Sequence, residues 1–170
     1  MTPEQATFLA NTFVAMMEGE VPATIKVLRA VPDSGREYRP DQKSRTAWEL
    51  ATHLAMSDVW FLESILTGAF HWDTPASDAL AASFASVADV VAFYEREYPA
   101  RLARLRAASG DDLARVVDFF GVVQQPAAAM LGFANNHSVH HRGQLAAYLR
   151  ACGSKVPAIY GDSADEAMQR

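Results

Sequence analysis

The 170-residue chain has a single cysteine, Cys152, so it cannot form an internal disulfide bond. It also lacks a dense block of lysine and arginine, because 15 basic residues stand against 20 acidic ones and the formal net charge is −5. Phosphate backbones and anionic membrane surfaces both attract a concentrated basic face. Nucleic-acid binding and membrane-surface binding are therefore disfavoured.

Long apolar runs are missing as well, since charged residues interrupt each run before it reaches the length of a membrane span. The N-terminal stretch MTPEQATFLANTF has no positive segment followed by an apolar block, so no secretory signal is expected. Nothing near Cys152 in the sequence would activate its thiol, and we interpret it as a small buried hydrophobe. These features predict a cytoplasmic protein with one domain over residues 1–170.

Apolar residues at helical spacing predict four long helices. Their expected first residues have capping chemistry: Thr2, Thr46 and Ser86 can cap, and a proline at 126 fits a first helical position. The last three helices are expected to end near residues 67, 109 and 152, each before a glycine. Pro22 is expected to kink the first helix without ending it.

The connections between these helices have little periodicity. Residues 31–44 and 69–85 are expected to be loops, the second with at most one short turn of helix, and the tail after residue 153 is expected to be irregular. Residues 114–125 are rich in β-formers and favour a small hairpin or an extended crossing. Four helices of this length predict an all-α fold, a four-helix bundle.

Three histidines lie within five positions of the last helix, in NNHSVHHRGQLAAYL. Residues four apart on a helix differ by about 40°, so His137 and His141 share one stripe with apolar neighbours and face the interior. His140 lies about 60° to one side of His137 and is assigned to a flank. His53, in ELATHLAM of the second helix, also has an apolar stripe around it.

Buried imidazoles need partners, and they satisfy one another poorly. A divalent metal bound by His53, His137 and His141 would meet that need, with open positions for water or substrate. Gln144 could orient a ligand histidine, and Trp60, His140 and Tyr148 are candidates for the surroundings of the site. The competing interpretation is a histidine cluster that bonds only to itself and to water, while Arg142 is interpreted as a solvated side chain.

The segments ELATHL and HSVHHRGQLAAYLRACGSKVPAIYGDSADE resemble the DinB-like (YfiT-like) metalloenzymes. The resemblance implies an up-down-down-up bundle with one divalent metal, held by His53, His137 and His141. It also implies a homodimer, since members often pair. Relatives with known activities include bacillithiol S-transferases and mycothiol-dependent isomerases.

The resemblance leads us to expect a metal-dependent transferase or detoxifying enzyme that uses a low-molecular-weight thiol, without assigning further catalytic residues. Zinc and nickel are the first candidates for the metal, with iron as an alternative, because imidazoles suit all three. A metal-dependent hydrolase and a non-catalytic, stress-associated metal-binding protein remain open. Apolar residues of the first helix, Phe8, Phe13, Met16 and Met17, are either a dimer surface or core.

Overall fold

The computed structural model describes residues 1–168 and consists mainly of helices. The four long helices are α1 (Pro3–Arg29), α2 (Ala47–Thr67), α4 (Val87–Arg106) and α6 (Ala127–Tyr148). The connections contain a 3₁₀ turn (Asp33–Gly35), helices α3 (Thr74–Ser83) and α5 (Gly110–Ala114), and strands β1 (Val116–Phe119) and β2 (Val123–Pro126). Within residues 1–168, no helix has the length and apolar character of a bilayer-spanning segment.

The long helices form a four-helix bundle, as the sequence predicts. Helix α1 packs against α4 and α6, and α2 packs against the same two helices. Their inward faces form a continuous apolar core that includes Met17, Leu54, Tyr94 and Met130. The metal-candidate helices α2 and α6 are therefore direct neighbours in the bundle.

Capping boxes start three of the four long helices at the positions predicted. At α2, the Thr46 hydroxyl accepts a hydrogen bond from the Glu49 backbone N–H, and the Glu49 carboxylate accepts one from the Thr46 N–H. These bonds satisfy backbone donors that the first helical turn leaves free. The start of α2 is thereby anchored two turns before His53.

Pro22 lies inside α1 and does not end it, as predicted. The prediction of a loop over residues 69–85 is wrong, because α3 occupies ten of these residues. Asp73 caps α3 by accepting a hydrogen bond from the Ala76 N–H at 2.9 Å, and Pro75 lies in its first turn. No residue of α3 is fully buried, so the helix lacks the apolar stripe that would have indicated it.

The β-rich segment forms an antiparallel hairpin, one of the two predicted alternatives, with Val117 opposite Gln125. The last helix is shorter than expected: Pro126 is its N-cap, and regular α-helix ends at Tyr148, ahead of Gly153. The tail contains no helix between residues 154 and 168. Cys152 is buried, and burial raises the pKa of its thiol, in keeping with an unreactive side chain.

Arg142 is the largest fully buried side chain of residues 1–168, so its interpretation as solvated is wrong. Its side chain is only 1% exposed, and its guanidinium forms an ion pair with Glu20 of α1 at 2.5 Å. It also donates hydrogen bonds to the Thr24 hydroxyl at 3.2 Å and to the Tyr160 hydroxyl. Arg142 thus joins α6 to α1 and to the C-terminal tail.

A second buried polar contact joins α2 to α6. The Ser138 hydroxyl donates to one carboxylate oxygen of Asp58 at 2.7 Å, while the other oxygen has no partner among residues 1–168. Burial raises the pKa of Asp58 to about 7, against the opposing effect of Ser138. This contact connects the two helices beside the histidines.

Candidate metal centre

His53, His137 and His141 converge between α2 and α6. His53 stands between the fully buried Leu50 and Leu54, which pack α2 into the core. His137 and His141 lie one turn apart on α6, as their spacing predicts. All three side chains are half-buried, with one part of each ring facing the core and another accessible from outside.

The ring nitrogens of the three histidines are close enough to share one ion. One nitrogen from each ring lies within 4.8 Å of the others, and the Nε2 atoms of His53 and His141 are 3.2 Å apart. Ring centroids are separated by 4.4 Å for His137 and His141 and by 5.3 Å for His53 and His137. Zinc–nitrogen bonds of about 2.0–2.1 Å place ligand nitrogens roughly 3–4 Å apart, and the 3.2 Å between Nε2 of His53 and Nε2 of His141 falls in this range.

The hydrogen bonds around the cluster favour a bound cation. The Nδ1–H of His141 donates to the Gln144 side-chain oxygen at 3.1 Å, so the lone pair of its Nε2 faces Nε2 of His53, 3.2 Å away. Within residues 1–168, Nδ1 of His137 is buried and has no hydrogen-bond partner. Buried polar atoms normally have hydrogen-bond partners. A divalent ion would supply the partner that a group of imidazoles with few protein hydrogen bonds lacks. The three histidines could therefore hold a metal.

Electrostatics keep these imidazoles neutral, the form that binds metals. Burial lowers the pKa of His53 to about 3 and that of His137 to about 4. Burial also lowers the pKa of His141, while its hydrogen bond with Gln144 acts in the opposite direction. The nearby Arg45 guanidinium lowers all three pKa values further. Lone pairs are consequently available at neutral pH.

The other predicted residues occupy different places around the cluster. Gln144 contacts His141, and Trp60 lines a cavity beside His53 while its indole N–H donates to the His71 carbonyl at 2.8 Å. His140 is exposed, with its ring centroid 4.8 Å from that of His141. Tyr148 is buried and packs edge-on against Tyr38.

Two cavities open next to His53. The first, which we call the aromatic lobe, has a volume of about 380 Å³ and contacts both His53 and His137. Five aromatic side chains form its walls: Trp60, Phe61, Trp72, Phe119 and Phe133. They come from α2, the connection before α3, the hairpin and α6, and Phe61 lies 4.9 Å from the His137 ring between centroids. This lobe suits a flat apolar group.

The second cavity, which we call the cationic lobe, has a volume of about 430 Å³. Arg39, Lys43 and Arg45 line it, together with the first turns of α2 and residues of α3. The two lobes share three residues, which are Arg45, His53 and Trp72. His53 therefore lies where a charged cavity and an apolar cavity meet.

The sequence did not indicate Arg45, Phe61, Trp72 or Phe119 as site residues. Arg45, Trp72 and Phe119 lie outside the two helices that carry the histidines. Helical spacing therefore cannot predict that they reach the site. Phe61 lies two turns after His53 on α2, and this helical spacing indicates that both side chains lie on a similar face of the helix. The stretches around Trp72 and Phe119 are rich in aromatic residues, which is a weaker indication of a pocket wall.

Comparison with protein-family models matches residues 5–170 to the model described as the DinB family. Among curated proteins, YrdA of Bacillus subtilis (strain 168) is 29% identical over 157 residues, which cover 91% of this chain and 89% of YrdA. The family match extends over nearly the whole chain, including all three histidines of the cluster.

Solved structures with a similar fold include DinB-like proteins from two Bacillus species. The protein from Bacillus cereus aligns with a TM-score of 0.71 and 24% identity, over 87% of this chain and 95% of its own. YjoA of Bacillus subtilis aligns with a TM-score of 0.67 and 23% identity, over 85% of this chain and 93% of its own. At this identity the likeness establishes the fold of the chain.

Proposed function

The chain belongs to the DinB family, and from this membership and the histidine cluster we propose that it binds one divalent metal and joins a low-molecular-weight thiol to an electrophile. The proposal depends above all on one observation: three imidazoles lie within 4.8 Å of one another beside an aromatic cavity. A closed structural zinc site normally has four protein ligands, so three ligands leave room for a substrate.

We propose His53, His137 and His141 as the metal ligands, with zinc or nickel as the first candidates and iron as an alternative. A divalent ion bound there would coordinate a thiol sulfur and lower its pKa, so that thiolate is available near neutral pH. Gln144 holds the His141 ring in the orientation that directs Nε2 toward the other histidines.

The aromatic lobe would hold the electrophile against this thiol and limit its contact with water. The Phe61 ring lies 4.9 Å from the His137 ring between centroids and packs against Phe133, and Trp60 lines the same cavity. With a chloro-aromatic acceptor, a carbon–sulfur bond forms and the carbon–chlorine bond breaks. Chloride leaves with the bonding electrons and the thiol proton passes to solvent, so the step requires no carboxylate base.

Metal-loaded protein is expected to form a thioether from 1-chloro-2,4-dinitrobenzene and a low-molecular-weight thiol, tested with bacillithiol, mycothiol and glutathione. The protein is purified without a histidine tag and loaded with Zn²⁺, Ni²⁺ or Fe²⁺, and the conjugate is followed by its absorbance. Product should depend on the metal and disappear with a chelator or in His53→Ala. Absence of metal-dependent product with every thiol would contradict the proposal.

The absorption spectrum of Co²⁺-substituted protein separates this proposal from its alternatives. A thiol that coordinates the ion is expected to add a sulfur-to-cobalt charge-transfer band, and an unchanged spectrum would contradict thiol binding at the metal. Methanol at the same concentration serves as a control because it lacks the sulfur. A protein that binds no Co²⁺ at all would support the core-only interpretation of the histidines.

We also propose that the chain forms a homodimer through α1. Phe8 is 76% exposed and Met16 is 52% exposed on this helix, while Met17 is buried and Phe13 half-buried in the core. Light scattering is expected to give twice the mass of one chain, and Phe8→Glu should shift the protein to a monomer. The Thr7→Glu change, at a partly exposed position of α1, controls for charge alone. A monomeric wild-type protein would rule the dimer out.

A further inference from the structure

Cations without an ion-pair partner are concentrated at the proposed site. Residues 1–168 contain fourteen lysines and arginines, and ten of these form an ion pair with a carboxylate in that part of the chain. The four that do not are Arg39, Lys43, Arg45 and Lys155. The first three line the cationic lobe. The chain as a whole has a net charge of −5, so the sign of the charge at this lobe is opposite to that of the whole chain.

All three cations are exposed residues that line the same open cavity. Arg39, Lys43 and Arg45 follow one another in the connection that leads into α2, and residues of α3 line the same lobe. A cleft whose walls carry a net charge attracts ligands of opposite charge. Arg45 also lines the aromatic lobe together with His53 and His137.

Two carboxylates also line the cationic lobe, and neither neutralises these cations by direct pairing. The Glu49 carboxylate accepts a hydrogen bond from the Thr46 backbone N–H at 2.8 Å as part of the capping box. Asp78 is exposed on α3 and forms no ion pair with residues 1–168. Three cations against two carboxylates leave the lobe with a net positive charge.

We infer that the thiol is an anionic molecule, whose carboxylate or phosphate groups bind in the cationic lobe while the ring of its acceptor lies in the aromatic lobe. This inference rests on the proposed function, because it assigns the two reactants to the two sides of His53. Arg45 is the central residue, since it borders both lobes. A planar guanidinium can hold a carboxylate or a phosphate through two parallel hydrogen bonds.

The thioether S-(2,4-dinitrophenyl)glutathione tests this arrangement, because it joins a dicarboxylate thiol to a flat ring. Calorimetric titration of the zinc-loaded protein is expected to show binding that weakens at least tenfold with the diethyl ester of the same conjugate. Arg45→Gln should also weaken binding of the free acid at least tenfold, and Arg39→Gln combined with Lys43→Gln should do the same. Lys155→Gln, the unpaired lysine away from the lobe, should leave it unchanged.

A second arm of the titration distinguishes the two kinds of anion. Tighter binding of S-(2,4-dinitrophenyl)-coenzyme A than of the glutathione conjugate would identify phosphate as the preferred group, and the reverse order would identify carboxylate. Equal binding of the acid and its ester, or no effect of Arg45→Gln, would overturn the inference. The conjugates carry no free thiol, so their binding is independent of catalysis. Thioether formation with equal rates for charged and esterified thiols would overturn the inference alone and leave the proposed function standing.

Discussion

His137→Ala is expected to abolish stoichiometric metal binding, because it removes one of three imidazoles that share a single site. Loss of an outer hydrogen-bond partner of a ligand typically lowers metal affinity about 10- to 100-fold, and loss of a ligand should exceed that range. Elemental analysis of tag-free protein, followed by titration with Zn²⁺, measures both the stoichiometry and the affinity. Wild-type protein should hold one ion per chain and the variant close to none.

Two further variants of α6 serve as controls for this result. His140→Ala removes an exposed imidazole one turn after His137, with its ring beside that of His141, and should retain one ion per chain. Gln144→Ala removes the hydrogen-bond partner of His141 and should lower the affinity within the 10- to 100-fold range. Full metal content in His137→Ala would show that the imidazole is not a ligand. Equal losses in His137→Ala and His140→Ala would show that the effect is not specific to the cluster.

The histidine cluster was predictable because it depends on local geometry within helices. Helical spacing alone places His137 and His141 on one face, and the same rule turns His53 inward on α2. The further step, that these faces meet at one level, requires only that α2 and α6 be neighbours in the bundle. Capping chemistry at Thr46 located the start of α2 in the same local way.

The surroundings of the cluster were not predictable, because they depend on contacts between distant segments. Arg45 and Trp72 reach the site from connections whose path has no periodic signal. Helix α3 was missed because a helix that lies on the surface without a buried residue carries no apolar stripe. The cationic lobe combines both difficulties, since an irregular connection and α3 both line it.

The burial of Arg142 in the core was also not predictable from the sequence. Next to two histidines in the sequence, its charge suggests a solvated residue, whereas its carboxylate partner, Glu20, lies 122 positions earlier on α1. No pattern within α6 indicates that pairing. Charged residues are seldom fully buried without a partner, so a buried arginine becomes an expected feature only once the α1–α6 contact is known.

Arg142→Ala is expected to lower the free energy of unfolding by about 3–5 kcal/mol, the usual cost of breaking a buried ion pair by removing one partner. The change would leave the Glu20 carboxylate without its buried cation and remove one hydrogen bond each from the Thr24 and Tyr160 hydroxyls, while the Tyr160 hydroxyl still donates to Glu20 at 2.8 Å. For a chain of this size, such a loss lowers the Tm by on the order of 10 °C. Thermal and urea unfolding followed by circular dichroism measure it.

Arg150→Ala provides the matched control for this prediction. Arg150 is 57% exposed and pairs with Asp165 at 2.9 Å, so its removal is expected to cost less than about 1 kcal/mol. Because Arg142 contacts α1 and the tail, its alanine variant should still bind one metal ion per chain at temperatures where it stays folded. Equal destabilisation by the two variants would mean that burial adds nothing to the Arg142–Glu20 pair. Loss of the metal from folded Arg142→Ala protein would instead mean that α6 depends on this pair to keep His137 and His141 in position.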